Sequence, residues 1–293
     1  LSIRRQRQMC IRDRLNVMFY VNFRVTDFFE TASTGPIQGD RFGSAAKDYA
    51  DHRKGFPDAA FDELQKLGVG EPGHCLLDLG CCTGTLARGF ALRGCVVTGA
   101  DIDQRMLDEA SRLAHDEQLD ITWRQAPAEN TELPSTSFDA VTAGQCWHWF
   151  DQEKAIVECA RLLKPNGKLA LCWFDWIPLP ETVPGVTEEL IKSHNPDWNL
   201  GGIRARDDYY KLCKSTFTQH AMKIIGEFDF IDDTTYSRIS WRKRIQASAG
   251  IVALSPEKAI AFDQELEELL LNEFGSSELN TPHSVVGFVL AKK

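Results

Sequence analysis

The sequence predicts an α/β fold in which a parallel sheet is covered by helices on both faces. Five short strand-like runs alternate with helix-like runs between Cys75 and Phe174. Several of the strand-like runs are apolar at successive positions, as strands are when they are buried on both sides. Strands that alternate with helices of about 12 residues indicate βαβ units, and the strands of such units are parallel.

The predicted elements follow one another along this part of the chain. From Ala46 to Leu67 apolar residues recur at helical spacing, and Gly55-Phe56-Pro57 divides them into two short helices. The strands are predicted at Cys75–Leu79, Cys95–Ala100, Ile121–Arg124, Phe138–Ala143 and Lys168–Phe174, with the clearest helices at Gln104–His115 and Asp151–Leu163. Asp151 is expected to cap its helix, and Pro165-Asn166-Gly167 to stop it.

The pattern changes after Phe174. The later elements are predicted to be a helix at Val186–His194, a strand at Met222–Phe230, helices at Ile239–Ile251 and Pro256–Phe274, and a strand at Ser284–Leu290. We interpret the helices between the last two strands as a cap inserted at about 232–280. The main domain is expected at 71–293, after an N-terminal helical segment at 18–70.

Residues 1–17 are basic and have no continuous apolar core of the kind found in a secretory signal. We interpret them as a non-native or disordered extension, and a basic organelle-targeting segment is the alternative. No apolar run in the sequence approaches the roughly 18 residues that span a bilayer.

Charge and cysteine content restrict the class of protein. The sequence has 33 Lys and Arg against 42 Asp and Glu, a net charge of −9, which argues against a nucleic-acid-binding surface. Its nine cysteines form no CxxC pair, so we expect reduced thiols and no metal site. These features predict a cytoplasmic protein that binds neither nucleic acid nor membrane, and they leave its oligomeric state open.

The stretch LLDLGCCTGT, Leu76 to Thr85, joins the first strand to a glycine turn. Gly80 and Gly84 permit a close approach of the backbone to a ligand at the carboxyl end of the strand. The spacing differs from the GxGxxG of dinucleotide sites, and the carboxylate of Asp78 would repel a pyrophosphate. A cationic ligand fits better, and S-adenosylmethionine carries both an ammonium and a sulfonium.

A second acid, Asp101, ends the next strand, 23 residues beyond Asp78. A carboxylate at this point can accept hydrogen bonds from both hydroxyls of a ribose. The alternative is that the two aspartates only cap helices.

Four stretches, LLDLGCCTGT, VTGADID, LPSTSFDAV and ARLLKPNGKLAL, resemble the successive motifs of class I S-adenosylmethionine-dependent methyltransferases of the methyltransferase type 11 kind. The resemblance extends over Phe42 to Phe174 and implies a Rossmann-like, seven-stranded, mostly parallel sheet closed by an antiparallel hairpin. The segments FGSAAKDYADHR and GQCWHWFD are similar to the trans-aconitate methyltransferase-like subgroup. The implied reaction is methyl transfer to a small-molecule acceptor, for which a carboxylic acid is one class.

The resemblance also implies which residues bind the cofactor. Some of these residues are expected to surround the methionine of the cofactor, and the others its ribose, adenine and sulfonium. The full set is Asp78, Gly80, Cys81, Cys82, Gly84, Asp101, Ile102, Met106, Ala128, Glu129 and Gln145. Tyr49 and Arg53 are expected to close over the cofactor or to lie on a helical surface. Cys82 replaces the usual glycine; at a negative φ it costs little, whereas at a positive φ it adds strain of about 1–3 kcal/mol.

The acceptor is expected beside the cluster that follows the fourth strand. His148 is the candidate proton acceptor or orienting group, with structural packing as the alternative. Trp147, Trp149 and Asp175 are candidates for the pocket wall. In the basic cluster Trp241-Arg242-Lys243-Arg244, Arg242 is the candidate for clamping an acceptor carboxylate, with a solvated helix face as the alternative.

Three other functions are left open. Cys82 favours a non-catalytic S-adenosylmethionine-binding protein of the same fold. Quinone- or phenol-type C- or O-methylation cannot be separated from methylation of an acid by sequence. A nicotinamide-dependent oxidoreductase is disfavoured by the glycine spacing and by Asp78.

Overall fold

The computed structural model describes residues 50–198, 217, 222–275 and 278–293. The predicted extension at 1–17, and the first residues of the helical segment up to Tyr49, lie outside these ranges. The strands are β1 Cys75–Leu79, β2 Val96–Asp101, β3 Ile121–Gln125, β4 Phe138–Gly144, β5 Leu163–Trp176, β6 Met222–Ser237 and β7 Glu278–Lys292. The helices are α1 Asp58–Lys66, α2 Thr85–Leu92, α3 Gln104–Asp116, α4 Gln152–Leu162, α5 Val183–His194, α6 Arg238–Gln246, α7 Ala249–Val252 and α8 Pro256–Phe274.

The seven strands form one sheet in the order β3-β2-β1-β4-β5-β7-β6. Strands β1 to β5 pair in parallel, and β7 runs antiparallel to both β5 and β6. This confirms the predicted mostly parallel sheet and its closing hairpin. The strand order reverses between β1 and β4, and open α/β sheets bind ligands at such a point, beyond the carboxyl ends of the strands.

Side-chain caps fix where several helices begin. The carboxylate of Asp151 accepts a hydrogen bond from the backbone N–H of Lys154, which confirms the predicted cap of α4. Asp103 caps α3 in the same way, through the backbone N–H of Arg105. Helix α4 ends at Leu162, before Pro165, so the predicted stop signal is also confirmed.

The late strands are longer than the sequence predicts. Strand β6 continues to Ser237, seven residues beyond the predicted Phe230, and β5 reaches Trp176. Asp232 and Asp233, which follow Phe230 closely, are poor strand formers, but the hydrogen bonds of this segment with β7 outweigh their propensity. The helices of the cap therefore begin at Arg238 instead of about residue 232.

The cap has an apolar core of its own. Buried side chains of its helices, among them Trp241, Phe262 and Leu266, pack against Trp176 and Tyr236 at the extended ends of β5 and β6. Three indoles are tied to α5 by hydrogen bonds. Glu188 accepts from Trp176 and from Trp198, and the hydroxyl of Thr187 accepts from Trp241. These bonds satisfy the indole N–H groups inside the cap.

Within the described ranges, no helix combines the length and the apolar composition needed to cross a membrane. The seven cysteines in these ranges are free thiols. The same residues contain no group of three or more His, Cys, Asp or Glu side chains placed to hold a metal ion.

A buried carboxylate fixes the loop between β3 and β4. Glu158 of α4 accepts hydrogen bonds from the backbone N–H and the hydroxyl of Thr131, and it pairs with Arg161. Burial opposes the ionisation of Glu158, but the hydrogen bonds from Arg161 and Thr131 outweigh it and lower its pKa to about 2. The loop that carries the site residues Ala128 and Glu129 is thereby anchored to α4.

We expect this anchor to contribute pH-dependent stability. Because the pKa of Glu158 is lower in the folded state than the ordinary value of 4.5, the contribution is present above pH 4.5 and disappears as the pH falls towards 2. Glu158→Gln should reduce the free energy of unfolding by about 2–3 kcal/mol at pH 7. Urea unfolding between pH 7 and pH 3 should show the difference from wild type shrinking with decreasing pH. Glu153→Gln, at an exposed position of the same helix, is the control; an equal loss there would contradict the assignment.

Candidate functional site

The glycine turn after β1 has the backbone conformation that the sequence predicts. Gly80 has φ 59° and Gly84 has φ 75°, both in the left-handed region. A Cβ atom at Gly80 would lie 2.9 Å from Cys146 Sγ and from Phe150 Cζ. The chain therefore passes closely over the loop that follows β4, and only glycine fits at this point.

Asp78 lies beneath the turn, with only 2% of its surface exposed. One carboxylate oxygen accepts from the hydroxyl of Thr142 at 2.8 Å, and the other from the backbone N–H of Ala87 at 3.2 Å. Burial raises the pKa of Asp78 to about 7, although both hydrogen bonds lower it; the charge of Asp101 raises it slightly further. Asp78 thus joins β1, β4 and the first turn of α2.

Asp101 lies at the end of β2, next to the turn. Its Oδ2 accepts from the backbone N–H of Cys82 at 2.7 Å, and its Oδ1 from that of Asp103 at 2.9 Å. Burial raises its pKa as well. The two oxygens of a carboxylate together offer about four acceptor positions, so Asp101 keeps capacity to accept from a ligand hydroxyl. Asp78 and Asp101 therefore lie at adjacent strand ends, as the sequence predicts.

The remaining predicted cofactor residues border the same strand ends. Cys81 is buried, and its N–H donates to the carbonyl of Ala100 at the end of β2. Ile102 is exposed, whereas Met106 is buried with its sulfur 3.5 Å from Cys82 Sγ. In the β3–β4 loop Ala128 is buried, and the carboxylate of Glu129 accepts from the backbone N–H of Asp151 at 2.8 Å.

Two non-glycine residues in the left-handed region flank the crevice. Cys82 has φ 53°, and Gln145, directly after β4, has φ 64°. The side-chain amide of Gln145 donates to the carbonyl of Phe174 in β5, and its backbone N–H donates to the carbonyl of Cys172. Backbone strain of this kind is concentrated at binding sites, where the surrounding structure holds it.

The candidate acceptor residues occupy the turn after Gln145. Trp147 is fully buried and its indole ring contacts Phe150 edge to face, while Trp149 is partly exposed. His148 is half-buried, with its ring centroid 4.7 Å from that of Trp149. Burial, and then the positive charge of Arg53, lower the pKa of His148 to about 4. This imidazole is consequently neutral at physiological pH.

The structure places the two remaining acceptor candidates differently. Asp175 is half-buried near the end of β5, as predicted. Arg242 points to α8, where its guanidinium pairs with Asp263 at 2.5 Å and also contacts Glu267. The expectation that Arg242 clamps an acceptor is therefore not supported, because these two carboxylates already hold its guanidinium.

Sequence reasoning missed other residues that the structure brings to this end of the sheet. Thr142 holds Asp78, and Tyr236, Arg244 and His283 are buried beside the extended strand ends. The sequence contained one signal for Arg244: it follows Trp241 by three residues and so shares a helix face with that indole. Tyr236 and His283 gave no such signal.

The positive φ of Cys82 leads to a prediction. Cys82→Gly should raise the free energy of unfolding by about 1 kcal/mol and the affinity for S-adenosylhomocysteine by up to about tenfold, because glycine relieves strain at the turn. Urea unfolding and calorimetric titration measure the two effects. Cys82→Ala removes only the thiol and should give neither gain.

Gln118→Gly is the matched control for this variant. Gln118 is exposed and also has a left-handed backbone, with φ 58°, but it lies just after α3, away from the turn. Gln118→Gly should raise the free energy of unfolding by a similar amount and leave the affinity for S-adenosylhomocysteine unchanged. A gain in affinity in the control, or none in Cys82→Gly, would show that strain at the turn does not limit binding.

Comparison with known proteins shows which proteins part of this chain is similar to. Residues 77–171 match the family model described as a methyltransferase domain. An uncharacterized methyltransferase of Mycobacterium bovis is 37% identical over 132 residues, which cover 45% of this chain and 51% of the relative. A ubiquinone biosynthesis O-methyltransferase of Coxiella burnetii is 35% identical over 98 residues, 33% of this chain and 42% of the relative. The chain thus spans about half the length of the first relative, and less of the second.

Among solved structures, one assigned to a type II methyltransferase from Anaeromyxobacter dehalogenans has a similar fold. The TM-score is 0.61 at 21% identity, over 82% of this chain and 97% of that chain. At this identity the likeness concerns the fold, and the match extends well beyond residues 77–171 to include most of the described chain.

Proposed function

We propose, from the match of residues 77–171 to a methyltransferase domain, that this chain is a class I S-adenosylmethionine-dependent methyltransferase that transfers a methyl group to a small-molecule acceptor. One observation carries the proposal. Asp78 and Asp101 lie at adjacent strand ends beside a glycine turn, and burial raises the pKa of both. Such a site favours a ligand with positive charge and ribose hydroxyls, and it disfavours a pyrophosphate.

The residues present fit the cofactor. Asp101 can accept hydrogen bonds from the ribose hydroxyls, while the N–H of Cys82 holds its carboxylate in place. Asp78 is only 2% exposed, so it acts by orienting the turn through Thr142 and Ala87 and by its charge. Gly80 and Gly84 allow the ligand close to the backbone.

His148 restricts the acceptors that this site can use. The bound cofactor supplies an electrophilic methyl group on a sulfonium. An imidazole with a pKa of about 4 is a poor general base for a hydroxyl or an amine at neutral pH. A carboxylate needs no base because it is already ionised. We therefore favour a carboxylic acid acceptor, which His148 helps to orient and from which Trp149 helps to exclude water.

Two alternatives remain within the same fold. The similarity to the Coxiella burnetii ubiquinone biosynthesis O-methyltransferase supports phenol- or quinone-type methylation. The strain at Cys82 supports a protein that binds the cofactor without turnover. The finer resemblance to trans-aconitate methyltransferase-like proteins stays a prediction.

Calorimetric titration with S-adenosylmethionine, S-adenosylhomocysteine and NADH tests the proposal. We expect micromolar binding of the first two and none of NADH. Release of S-adenosylhomocysteine should then be measured with panels of carboxylic acids, phenols, quinones and amines. Turnover only with phenols or quinones would favour the first alternative, and binding without any turnover the second. A folded protein that binds neither adenosyl compound would refute the proposal.

A further inference from the structure

Thr142 and Asp78 form a buried pair inside the sheet. They lie opposite each other on the neighbouring strands β4 and β1. Thr142 is fully buried and Asp78 is 2% exposed, and the hydroxyl oxygen of Thr142 lies 2.8 Å from Asp78 Oδ1. The other carboxylate oxygen accepts from the backbone N–H of Ala87 in the first turn of α2. The pair thus joins the two strands whose carboxyl ends border the proposed cofactor site.

The hydroxyl of Thr142 accommodates both protonation states of Asp78. It has one hydrogen to donate, and its oxygen lies 3.5 Å from the carbonyl of Leu77 as well as 2.8 Å from Asp78. When Asp78 is ionised, the hydroxyl donates to its carboxylate. When Asp78 is protonated, the carboxylic acid can donate to the hydroxyl oxygen, and the hydroxyl hydrogen can turn to Leu77. The pair can therefore gain or lose a proton while both side chains keep a partner.

The titratable groups around Asp78 are an acid and thiols. The charge of Asp101 on β2 opposes its ionisation, and its own charge acts on three buried thiols: Cys81 in the turn, Cys146 after β4 and Cys172 on β5. Burial raises the pKa of all three thiols, so they are neutral near pH 7. Among the described residues that act on Asp78, none carries a positive charge. No cation therefore offsets the burial that raises the pKa of Asp78 to about 7.

We propose that Thr142 is a positioning residue that holds the carboxylate of Asp78 for a cationic cofactor, and that binding of the cofactor displaces a proton from this pair. The ligand brings the positive charge that the described surroundings of Asp78 lack, and its attraction favours the ionised form where water is excluded. The carboxylic acid then loses its proton to the solvent, and the hydroxyl of Thr142 donates to the carboxylate that remains. The inference rests on the proposed function, since the cation is the ammonium of an adenosyl compound.

The number of protons released on binding tests the proposal directly. S-adenosylhomocysteine is titrated calorimetrically at pH 6.5 in phosphate, MES and imidazole buffers. The slope of the binding heat against the ionisation heat of the buffer gives the number, and the amine of the ligand is already charged at this pH. We expect about 0.7 proton from the wild-type protein, because about three quarters of Asp78 is protonated there, and less than about 0.1 from Asp78→Asn.

The affinity for S-adenosylhomocysteine should depend on the same proton. In the wild-type protein it should fall about fivefold or more between pH 7.5 and pH 6.0. Thr142→Val keeps the size of the side chain but removes the hydroxyl that favours the ionised form, so the pH midpoint of binding should rise by about one unit. Thr142→Ser restores the hydroxyl and should restore the wild-type midpoint. The amine of the ligand titrates equally in every variant.

Thr281→Val is the matched control. Thr281 is also fully buried in a strand, and its hydroxyl donates to the carbonyl of Thr234 in the hairpin of β6 and β7. The variant loses a buried hydroxyl away from Asp78 and should keep the wild-type pH midpoint.

Three results would overturn the proposal: binding without proton release, a release that persists in Asp78→Asn, or a pH midpoint that Thr142→Val shifts no more than Thr281→Val does. Circular dichroism and thermal unfolding show whether each variant folds. The proton count with Asp78→Asn and the pH profile with Thr142→Val are independent, so one decides the matter if the other variant does not fold or bind. A protein that binds neither adenosyl compound refutes the proposed function and this inference with it, whereas binding without proton release refutes this inference alone.

Discussion

Asp101→Ala is expected to lower the affinity for S-adenosylhomocysteine at least 100-fold. The variant removes the charged acceptor of two ribose hydroxyls, each hydrogen bond contributing about 1.5–3 kcal/mol, and it leaves the N–H of Cys82 without its partner at 2.7 Å. Calorimetric titration of the folded variant measures the loss. Asp101→Asn keeps the size of the side chain and should lose about tenfold or more.

Asp103→Ala is the control for this prediction. Asp103 lies two residues away, caps α3 and pairs with Arg105, but it lies outside the proposed ribose contact. Loss of this N-cap hydrogen bond should lower the free energy of unfolding by about 1 kcal/mol and change the affinity for S-adenosylhomocysteine by less than threefold. If Asp103→Ala weakens binding as much as Asp101→Ala, then Asp101 acts through the start of α3, and the ribose contact is wrong.

Gly80→Ala should reduce the free energy of unfolding by about 2–4 kcal/mol. The left-handed backbone accounts for about 1 kcal/mol, and the crowding of a methyl group 2.9 Å from Cys146 Sγ and Phe150 Cζ accounts for the rest. Urea unfolding with intrinsic tryptophan fluorescence measures the change. The affinity for S-adenosylhomocysteine should fall with it, because the methyl group displaces the turn.

Gly73→Ala separates the two contributions. Gly73 has φ 83°, so alanine meets the same backbone penalty there, yet nothing lies within 4 Å of its added Cβ atom. We expect a loss of about 1 kcal/mol and unchanged affinity. Equal losses at the two positions would mean that the packing of Cys146 and Phe150 against Gly80 contributes nothing to the turn.

The parts of this fold that depend on residues close together in the sequence could be predicted. The five parallel strands, the cap of α4 by Asp151 and the turn around Gly80 each follow from a few consecutive residues. The placement of Asp78 and Asp101 at adjacent strand ends follows from the βαβ pattern, since parallel strands present their carboxyl ends at one edge.

The parts that depend on distant pairing could not be predicted. Strand β6 reaches Ser237 because β7 provides hydrogen bonds, although the polar residues after Phe230 resemble a loop. The pairing of Arg242 with Asp263 depends on how α6 is rotated on its neighbours, and the packing of the buried Trp241 fixes this rotation. The double use of the Asp78 carboxylate requires Thr142, which lies 64 residues away.

The junction between β6 and α6 has a consequence for how ligands reach the site. Ser237 is both the last residue of β6 and the N-cap of α6. No loop therefore separates the helical cap from the sheet at this junction. Lids that swing need a few residues whose backbone angles can change freely. Here a swinging motion of the cap would break the hydrogen bonds between β6 and β7. We therefore expect the cap to stay fixed to the sheet at this junction while small molecules enter and leave.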